Sequence, residues 1–310
     1  MKKQGISVII PTWNRVGFLE KAMGSVLAQT RPCDELIVVD DGSTDGTADL
    51  VRTMATVSGR EIRYIFQENQ GAAAARNRGI AEAGGGLLCF LDSDDWWDPE
   101  KLAVQEQAMQ EHPGMLISHT REIWFRRGRR VNQKKKHAPP GGEIFDRCLA
   151  MCVVGMSTVM VRAEFFRRHG LFDESLVCCE DYDLWLRAAV HEEFLLVDRP
   201  LTFKNGGRPD QLSNRYRLGM DTFRIRSICR LLEQAHLTPV QRRLALAELE
   251  RKCAIYGHGC IKHGRREEGE AYLALPDRYR KGAGPVPCGD ADPSGRGRRS
   301  GETVRSPAFP

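Results

Sequence analysis

The sequence predicts an α/β protein with a mainly parallel sheet flanked by helices and a helical extension on its C-terminal side. In the first hundred residues, apolar runs of strand length alternate with segments of helical periodicity, which is the pattern of repeated βαβ units. Polar clusters follow each apolar run, where the carboxyl ends of parallel strands form a ligand-binding edge. From residue 237 to about residue 275 the pattern is helical.

Four strands and three helices are expected in this first part. The predicted strands are 6–11, 36–39, 62–67 and 84–91. The helical segments between them begin at Asn14, at a cap formed by Thr44 or Asp45, and within 68–83. The third segment, "ENQGAAAARNRGIAEA", carries small residues that suit a helix packed tightly on the sheet.

The order after residue 100 is less regular. We expect a helix over about 99–110, strand-like stretches at 114–119 and 122–127, and a strand ending at Val161. A helix ending at Gly170 and a helix over the leucines of "EDYDLWLRAAV" follow. The basic run 126–137 is interpreted as the exposed turn of a hairpin; an anionic membrane surface or a phosphorylated acceptor is the partner considered if it binds something.

The C-terminal part is predicted to contain a separate set of helices. Thr238, Pro239 and Gln241 form a capping-box start, and a helical pair is joined around residues 262–266. Past Pro276, enrichment in Gly, Pro, Arg and Ser predicts a disordered end.

Composition limits the classes of function. The chain has 310 residues with a formal net charge of +5 spread over many charges of both signs, so nucleic acid is not expected as a partner. Its apolar runs are too short to span a bilayer, and the N-terminal apolar run is cut short by Pro11 without a small-residue cleavage site. We therefore expect a cytoplasmic protein with at most peripheral membrane contact. The ten cysteines lack metal-ligand spacing and are expected to be reduced core thiols.

The candidate site lies where the four predicted strands end. Asp92 and Asp94 are two residues apart, so they project to one side if the backbone is still extended. Two such carboxylates repel unless a cation lies between them, and Mg²⁺ or Mn²⁺ takes one or two carboxylates together with water and substrate phosphates. The alternative is that these aspartates cap the next helix. Arg76 could pair with a phosphate or be a surface arginine, and Asp41 could be a turn or cap residue.

Five ordered motifs carry a resemblance to a known family. They are "SVIIPTWNR", "LIVVDDGSTDGT", "NQGAAAARNRGI", "FLDSDDWWDP" and "CCEDYDLWLRA". In their order and spacing, over roughly residues 6–203, the chain resembles glycosyltransferase family 2. The resemblance implies the GT-A fold, a Rossmann-like mixed sheet. Residues 1–218 would form the catalytic domain, with a nucleotide-sugar half over about 1–100 and an acceptor half over about 101–218; 219–275 would be the helical extension and 276–310 a disordered tail.

The resemblance also implies roles for individual residues. Thr12 would lie beside the nucleotide, Asp41 would bond the base, and Arg76 would lie near the base or diphosphate. Asp92 would face the ribose, and Asp94 would hold the metal that bridges the diphosphate.

The motif "CCEDYD" would supply the acceptor side of the site. Asp181 matches the family's catalytic base, Glu180 is its partner, and Asp95 would assist. The implied reaction is inverting transfer from a nucleoside-diphosphate sugar, with UDP-sugars favoured, to a hydroxyl of a carbohydrate or lipid-linked acceptor. The implied setting is cell-surface polysaccharide, lipopolysaccharide or glycolipid synthesis, with Mn²⁺ or Mg²⁺ as cofactor.

Other interpretations stay open at the level of sequence. A nonenzymatic sugar-nucleotide-binding scaffold would keep the fold, but loss of Asp94 or Asp181 would be expected. A nucleotidyltransferase or a Rossmann dehydrogenase would be expected to carry a glycine-rich loop after the first strand, where this chain has "PTWNRVG".

The segment 203–219 has the composition of a mobile loop that closes over the donor. Its arginines Arg208, Arg215 and Arg217 are candidates for the diphosphate or simple surface charges. Trp96 and Trp97 are candidates for stacking on a sugar or nucleotide, or for burial against the following helix.

Overall fold

The computed structural model describes residues 5–208, 211, 215–216 and 219–281. Its strands are β1 (Ile6–Thr12), β2 (Glu35–Asp40), β3 (Arg63–Phe66), β4 (Leu87–Phe90), β5 (Trp96–Trp97), β6 (Ile117–Arg126), β7 (Arg129–Val131), β8 (Met160–Arg162) and β9 (Leu195–Gly206). Its α-helices are α1 (Val16–Leu27), α2 (Thr47–Ser58), α3 (Ala72–Glu82), α4 (Lys101–Glu111), α5 (Phe145–Ala150), α6 (Ala163–His169), α7 (Glu180–Ala188), α8 (Met220–Gln234), α9 (Pro239–Lys262) and α10 (Arg266–Arg280).

The strands form one mixed sheet. Its order is β3-β2-β1-β4-β8-β6-β9-β5, with β7 paired to β6. The first four strands pair in parallel, β8 runs antiparallel to β4 and β6, and β9 runs parallel to β6. The parallel half confirms the alternating pattern of the sequence, because each crossover is a helix and the strands end on one edge.

Helix α3 lies unusually close to the sheet. A Cβ added to Gly79 would be 2.4 Å from Ile9 Cγ2. Ala73, Ala74 and Ala75 of the same helix are buried. The small residues of this segment therefore permit the close approach that the sequence predicted.

The strand prediction after residue 110 needs one correction. The two stretches predicted separately at 114–119 and 122–127 belong to a single strand, β6, whose register with β9 shifts at Thr120–Glu122. This shift explains why the strand pattern of the sequence is interrupted there, because side chains before and after it do not keep one continuous alternation between the two faces of the sheet. The basic run was correctly interpreted: Arg127 and Gly128 both have positive φ, at 50° and 73°, in the tight turn between β6 and β7.

The C-terminal helices share their core with the rest of the chain. The predicted capping box at Thr238 and Gln241 is present. Buried side chains of α8, α9 and α10 belong to the cluster that contains Trp185 of α7. Lys252 of α9 is buried, and its ammonium donates to the Ala150 carbonyl at 3.1 Å.

The predicted start of the disordered tail at 276 is wrong. Pro276 lies inside α10, which continues to Arg280. Burial of Leu275, Pro276 and Tyr279 outweighs the local disadvantage of a helical proline. Residues 282–310 lie outside the described residues. None of the helices in the described part of the chain has the length and apolar character needed to cross a membrane.

Candidate active site

Thr12 and Asp41 lie together at the carboxyl edge of the parallel strands. The backbone N–H of Asp41 donates to the Thr12 carbonyl at 2.9 Å. Thr12 is buried, and within the described residues its Oγ1 has no hydrogen-bond partner. A buried hydroxyl without a partner is costly, so this atom is suited to contact a ligand.

Asp41 also organises the neighbouring loop. Its carboxylate accepts hydrogen bonds from Gln67 Nε2 at 2.8 Å, from Gln70 N at 2.9 Å and from Gly71 N at 2.8 Å. A carboxylate offers about four lone-pair sites, so one acceptor position is left for a ligand. The sequence placed Asp41 at the site but did not reveal that it joins β2 to the start of α3.

The three aspartates after β4 do not continue an extended strand. The N–H of Asp95 donates to the carbonyl of Asp92 at 2.9 Å, which closes a turn. The extended backbone on which a shared direction of Asp92 and Asp94 depended is therefore absent. Each of these two carboxylates instead pairs with its own arginine, Asp92 with Arg76 and Asp94 with Arg208.

Asp95 points inward and joins the turn to the rest of the sheet. It accepts from Ser157 Oγ at 2.7 Å and from Asn205 N at 2.9 Å. Burial raises the pKa of Asp95 well above its ordinary value, Lys204 works against this shift, and Asp94 and Asp92 add to it. Asp95 is thus placed to position the turn.

Arg76 bridges the two acidic motifs. It is buried, with Nη2 at 2.8 Å from Asp92 Oδ1 and Nη1 bonded to Glu180 Oε1. Burial alone would lower its pKa, but the charges of Asp92 and Glu180 raise it above the usual value. The surface-arginine alternative is wrong, because this guanidinium ties the turn after β4 to the first residue of α7.

The start of α7 presents Asp181. Cys179 precedes the helix with φ of 65°, and the first turn contains three acidic residues, Glu180, Asp181 and Asp183. Asp181 accepts from Tyr182 N at 2.7 Å and from Cys152 Sγ at 3.3 Å. Burial, together with the charge of Asp181, raises the pKa of the Cys152 thiol well above its ordinary value, so the thiol is protonated and can donate.

Lys204 is a functional candidate that the sequence did not single out. Its pKa is raised chiefly by Glu122, burial opposes the rise, and Asp95, Asp92 and Asp181 add to it. The ammonium therefore provides a fixed positive charge among the carboxylates of the site. The sequence around it, "FKNGG", does not indicate a functional lysine, because the acidic residues that act on Lys204 lie on other elements of the fold.

The sequence left two roles open for two tryptophans and for three arginines: ligand contact, or burial for the tryptophans and simple surface charge for the arginines. Trp97 is buried and donates from Nε1 to the Ser157 carbonyl at 2.7 Å, which supports burial. Trp96 stacks on Phe203 with ring centroids 5.5 Å apart. Arg208 reaches Asp94, Arg215 is exposed, and Arg217 lies outside the described residues.

The donor set around Asp94 fits a hard divalent cation completed by substrate. Within the described ranges, no group of three or more His, Cys, Asp or Glu side chains could by itself hold a metal ion. The Asp94 side chain is 18% exposed and offers oxygen ligands. Mn²⁺ or Mg²⁺ bound through one carboxylate and phosphate oxygens matches this arrangement, whereas a closed all-protein site does not.

Comparison with known proteins decides the family. The model described as glycosyl transferase family 2 matches residues 7–192. The chain belongs to this family. A relative from Rickettsia felis, described as an uncharacterized glycosyltransferase, is 33% identical over 69% of this chain and 36% of its own length. The chain thus spans about a third of that family member.

Solved structures confirm the GT-A fold. Staphylococcus aureus TarS 1-349 in complex with UDP-GlcNAc matches 90% of this chain and 92% of its own at 19% identity, with a TM-score of 0.65. The mannosyltransferase PcManGT of Pyrobaculum calidifontis, in complex with GDP-Man and Mn²⁺, matches 91% and 84% at 18% identity, with a TM-score of 0.58. As in these relatives by fold, the sheet is mixed and mainly parallel on its first half.

Proposed function

We propose that the protein is a metal-assisted inverting glycosyltransferase that moves a sugar from a nucleoside-diphosphate sugar, with UDP-sugars favoured, to an acceptor hydroxyl. The observation that carries the proposal is the Arg76 bridge between Asp92 and Glu180. It holds a donor-side turn and the start of α7 against each other, so that Asp94 and Asp181 serve one reaction centre.

The donor would bind at the carboxyl edge of the parallel strands. The partnerless hydroxyl of Thr12 and the remaining acceptor position of Asp41 would contact the nucleoside, and Asp92 the ribose. Asp94 would hold Mn²⁺ or Mg²⁺, which when bound stabilises negative charge on the departing diphosphate. Arg208, released from Asp94, would remain close enough to pair with the same phosphates.

The acceptor hydroxyl would react beside Asp181. Its oxygen attacks the anomeric carbon while Asp181 takes the hydroxyl proton, and the sugar–phosphate bond breaks to release the nucleoside diphosphate. A single displacement from the opposite face inverts the anomeric configuration. Tyr182 N and Cys152 Sγ orient the carboxylate, and Glu180 is kept in place by Arg76.

The comparisons support a nucleoside-diphosphate sugar as the donor, but they do not identify its nucleotide or its sugar. The two solved relatives by fold hold UDP-GlcNAc in one case and GDP-Man with Mn²⁺ in the other. The carbohydrate or lipid-linked acceptor, a role in cell-surface glycan synthesis and a cytoplasmic location with peripheral membrane contact rest on the family resemblance of the motifs.

Calorimetry with a panel of nucleoside diphosphates, with and without Mn²⁺, tests the donor site. We expect one nucleotide to bind in a metal-dependent way in the wild type and in Asp49→Ala, a control at an exposed aspartate of α2, and binding to be lost in Asp94→Ala. No binding by a folded wild type would contradict the proposal.

Turnover of the matching sugar nucleotide tests the chemistry. Asp181→Asn should keep donor binding and lose about 10²-fold or more of the transfer rate, because it removes the general base. Release of pyrophosphate in place of nucleoside diphosphate would indicate a nucleotidyltransferase. Donor binding without transfer to any acceptor or to water would indicate a nonenzymatic scaffold.

A further inference from the structure

A dense positive surface lies on the hairpin of β6 and β7 and the short 3-10 helix after it. We call it the basic hairpin. Its members are Arg126, Arg127, Arg129, Arg130, Lys134, Lys135 and Lys136, and all of them are exposed. These seven cations outnumber the formal net charge of +5, so the rest of the chain is net acidic. The positive character of the protein is therefore concentrated in one place.

These cations do not contribute to the ion pairs of the fold. Across the ranges that the structure describes, none of the seven forms a salt bridge, whereas exposed arginines elsewhere commonly do, such as Arg280 with Glu250. Clustered like charges repel each other, and no salt bridge within the described chain offsets this cost. A ligand of opposite charge would offset it.

The basic hairpin is continuous with the candidate active site. Arg126 pairs in register with Gly206 of β9. Its side chain lies against Gly207, where an added Cβ would be 2.6 Å from Arg126 Nε. The next residue is Arg208, which contacts Asp94. Arg126, the first cation of the basic hairpin, is thus paired with a residue two positions before Arg208, and Arg208 contacts the proposed metal ligand Asp94.

The array of charges is held by a defined backbone. The Arg127–Gly128 turn is tight, and the rings of Trp124 and His137 lie 5.1 Å apart, which fixes the far end of the segment to β6. Between residues 126 and 137, Val131 is the one exposed large apolar side chain, at 36%. Amphipathic helices that bind membranes combine cations with several apolar side chains that insert, and the basic hairpin lacks such a set, so its composition favours a dissolved polyanion over insertion into a bilayer.

We propose that the basic hairpin binds an acceptor polymer that carries repeated phosphate or carboxylate groups, and that it guides the end of this polymer towards Asp181. That the bound polymer is an acceptor rests on the proposed function; that the hairpin binds a polyanion does not. Lysine and arginine side chains bind both kinds of anion, and release of counterions makes such binding strongly dependent on salt.

The test compares two variants with the same reduction in positive charge. The hairpin variant carries Arg127→Gln, Arg129→Gln, Arg130→Gln and Lys135→Gln, and it retains Arg126, which supports Gly207. The control variant carries Arg243→Gln, Lys262→Gln, Arg266→Gln and Lys281→Gln, which are exposed positions on α9, on α10 and directly after α10. The probes are inorganic polyphosphate, polygalacturonate and neutral dextran, each titrated at several salt concentrations, with UDP and Mn²⁺ titrated in parallel.

We expect the wild type and the control variant to bind polyphosphate, polygalacturonate or both, and not dextran. The hairpin variant should bind at least tenfold more weakly, and its slope of log affinity against log salt should be shallower by about 0.7 for each cation that no longer pairs with the polymer. UDP binding should be the same in all three proteins. Polyphosphate and polygalacturonate then distinguish a phosphate-bearing from a carboxylate-bearing acceptor.

Equal weakening in the two variants, or no binding of either polyanion by the wild type, would overturn the proposal. So would tighter binding to phosphatidylglycerol vesicles or to a single-stranded oligonucleotide than to both polymers. Failure of every nucleoside diphosphate of the panel to bind, while the polyanion still binds through the hairpin, would instead contradict the proposed donor site and leave the polyanion surface standing.

Discussion

At the scale of single residues, the site depends on long side chains that reach between motifs. Arg76 is buried and contacts Asp92 and Glu180, which lie 16 and 104 positions away in the chain. Arg208 contacts Asp94 across 114 positions. Each contact places a positive charge beside a carboxylate that would otherwise repel its neighbours, so these two arginines determine where the acidic side chains point.

Removing the Arg76 guanidinium should be strongly destabilising. Arg76→Met leaves Glu180 buried without a partner, and breaking a buried pair in this way costs about 3–5 kcal/mol. Adding Glu180→Gln should recover part of the loss, because the unpaired charge is then absent. Urea unfolding of the wild type, both single variants and the double variant measures this, and a loss below about 1 kcal/mol for Arg76→Met would contradict the bridge.

Arg208 should compete with a metal ion for Asp94. Their side chains are only 16% and 18% exposed, so the pair contributes on the order of 1 kcal/mol. In Arg208→Gln, Mn²⁺ alone should therefore bind roughly fivefold more tightly, as measured by the loss of the free Mn²⁺ signal in electron paramagnetic resonance. Arg215→Gln, at an exposed position, is the control. Weaker Mn²⁺ binding in Arg208→Gln would show that the arginine does not occupy the metal ligand.

His119 should make the fold sensitive to acid. It is fully buried beside Phe194, and burial lowers its pKa to about 4 from 6.5. Between these values the unfolded chain binds the proton and the folded one does not, so stability falls as pH falls from 6.5 to 4, by up to about 3 kcal/mol. His119→Gln removes this titration. The free energy of unfolding of the two proteins should therefore converge as pH falls, and parallel pH profiles would be the contrary result.

At the scale of elements, close packing of helices on the sheet positions the loops of the site. The N–H groups that hold Asp41 lie immediately before helix α3, which carries Arg76 and approaches β1 through Gly79. The pairing of β6 with β7 holds the cations of the basic hairpin together. Strand β9 carries Lys204, whose charge acts on Asp92, Asp95 and Asp181. The positions of the functional residues thus follow from how these elements pack.

Two glycine substitutions should have opposite effects. Gly79→Ala puts a Cβ 2.4 Å from Ile9 Cγ2, and such overpacking costs about 1–3 kcal/mol. Gly24→Ala lies inside α1 with no atom within 4 Å of the new Cβ, so it should stabilise by about 0.5–1 kcal/mol through helix propensity. Thermal unfolding measures both, and the same sign for the two substitutions would contradict the packing of α3 on β1.

At the scale of the whole molecule, the C-terminal helices belong to the folding unit that contains the site. Leu249 of α9 lies in the same buried cluster as Trp185 and Tyr182 of α7. Because α7 presents Asp181, the geometry around the proposed base depends on helices outside the family match at residues 7–192. The extension therefore stabilises α7, the helix that presents Asp181.

A buried and an exposed leucine of α9 should differ in their contribution to stability. Leu249→Ala should lower the free energy of unfolding by about 2–5 kcal/mol, and Leu244→Ala, at a position 40% exposed, by much less. Tryptophan fluorescence and far-ultraviolet circular dichroism should report one common transition, because Trp185 lies in the shared cluster. Two separate transitions would show that the extension unfolds independently.

The sequence by itself determined the alternation of strands and helices, the capping box at Thr238, the hairpin at residues 126–137 and the set of acidic candidates. These follow from local periodicity and turn chemistry, which neighbouring residues carry. The family followed from five short motifs in order, which the family model at residues 7–192 confirmed.

Only the tertiary structure decided which residues meet. The turn that separates Asp92 from Asp94, the bridge made by Arg76, the placement of Lys204 and the shared core of α9 all join parts of the chain that lie far apart in sequence. The local pattern of the sequence does not predict such contacts, because they depend on which distant segments bury their apolar surfaces and charges against each other. For the same reason Pro276 lies within a helix although its local composition predicted a disordered tail.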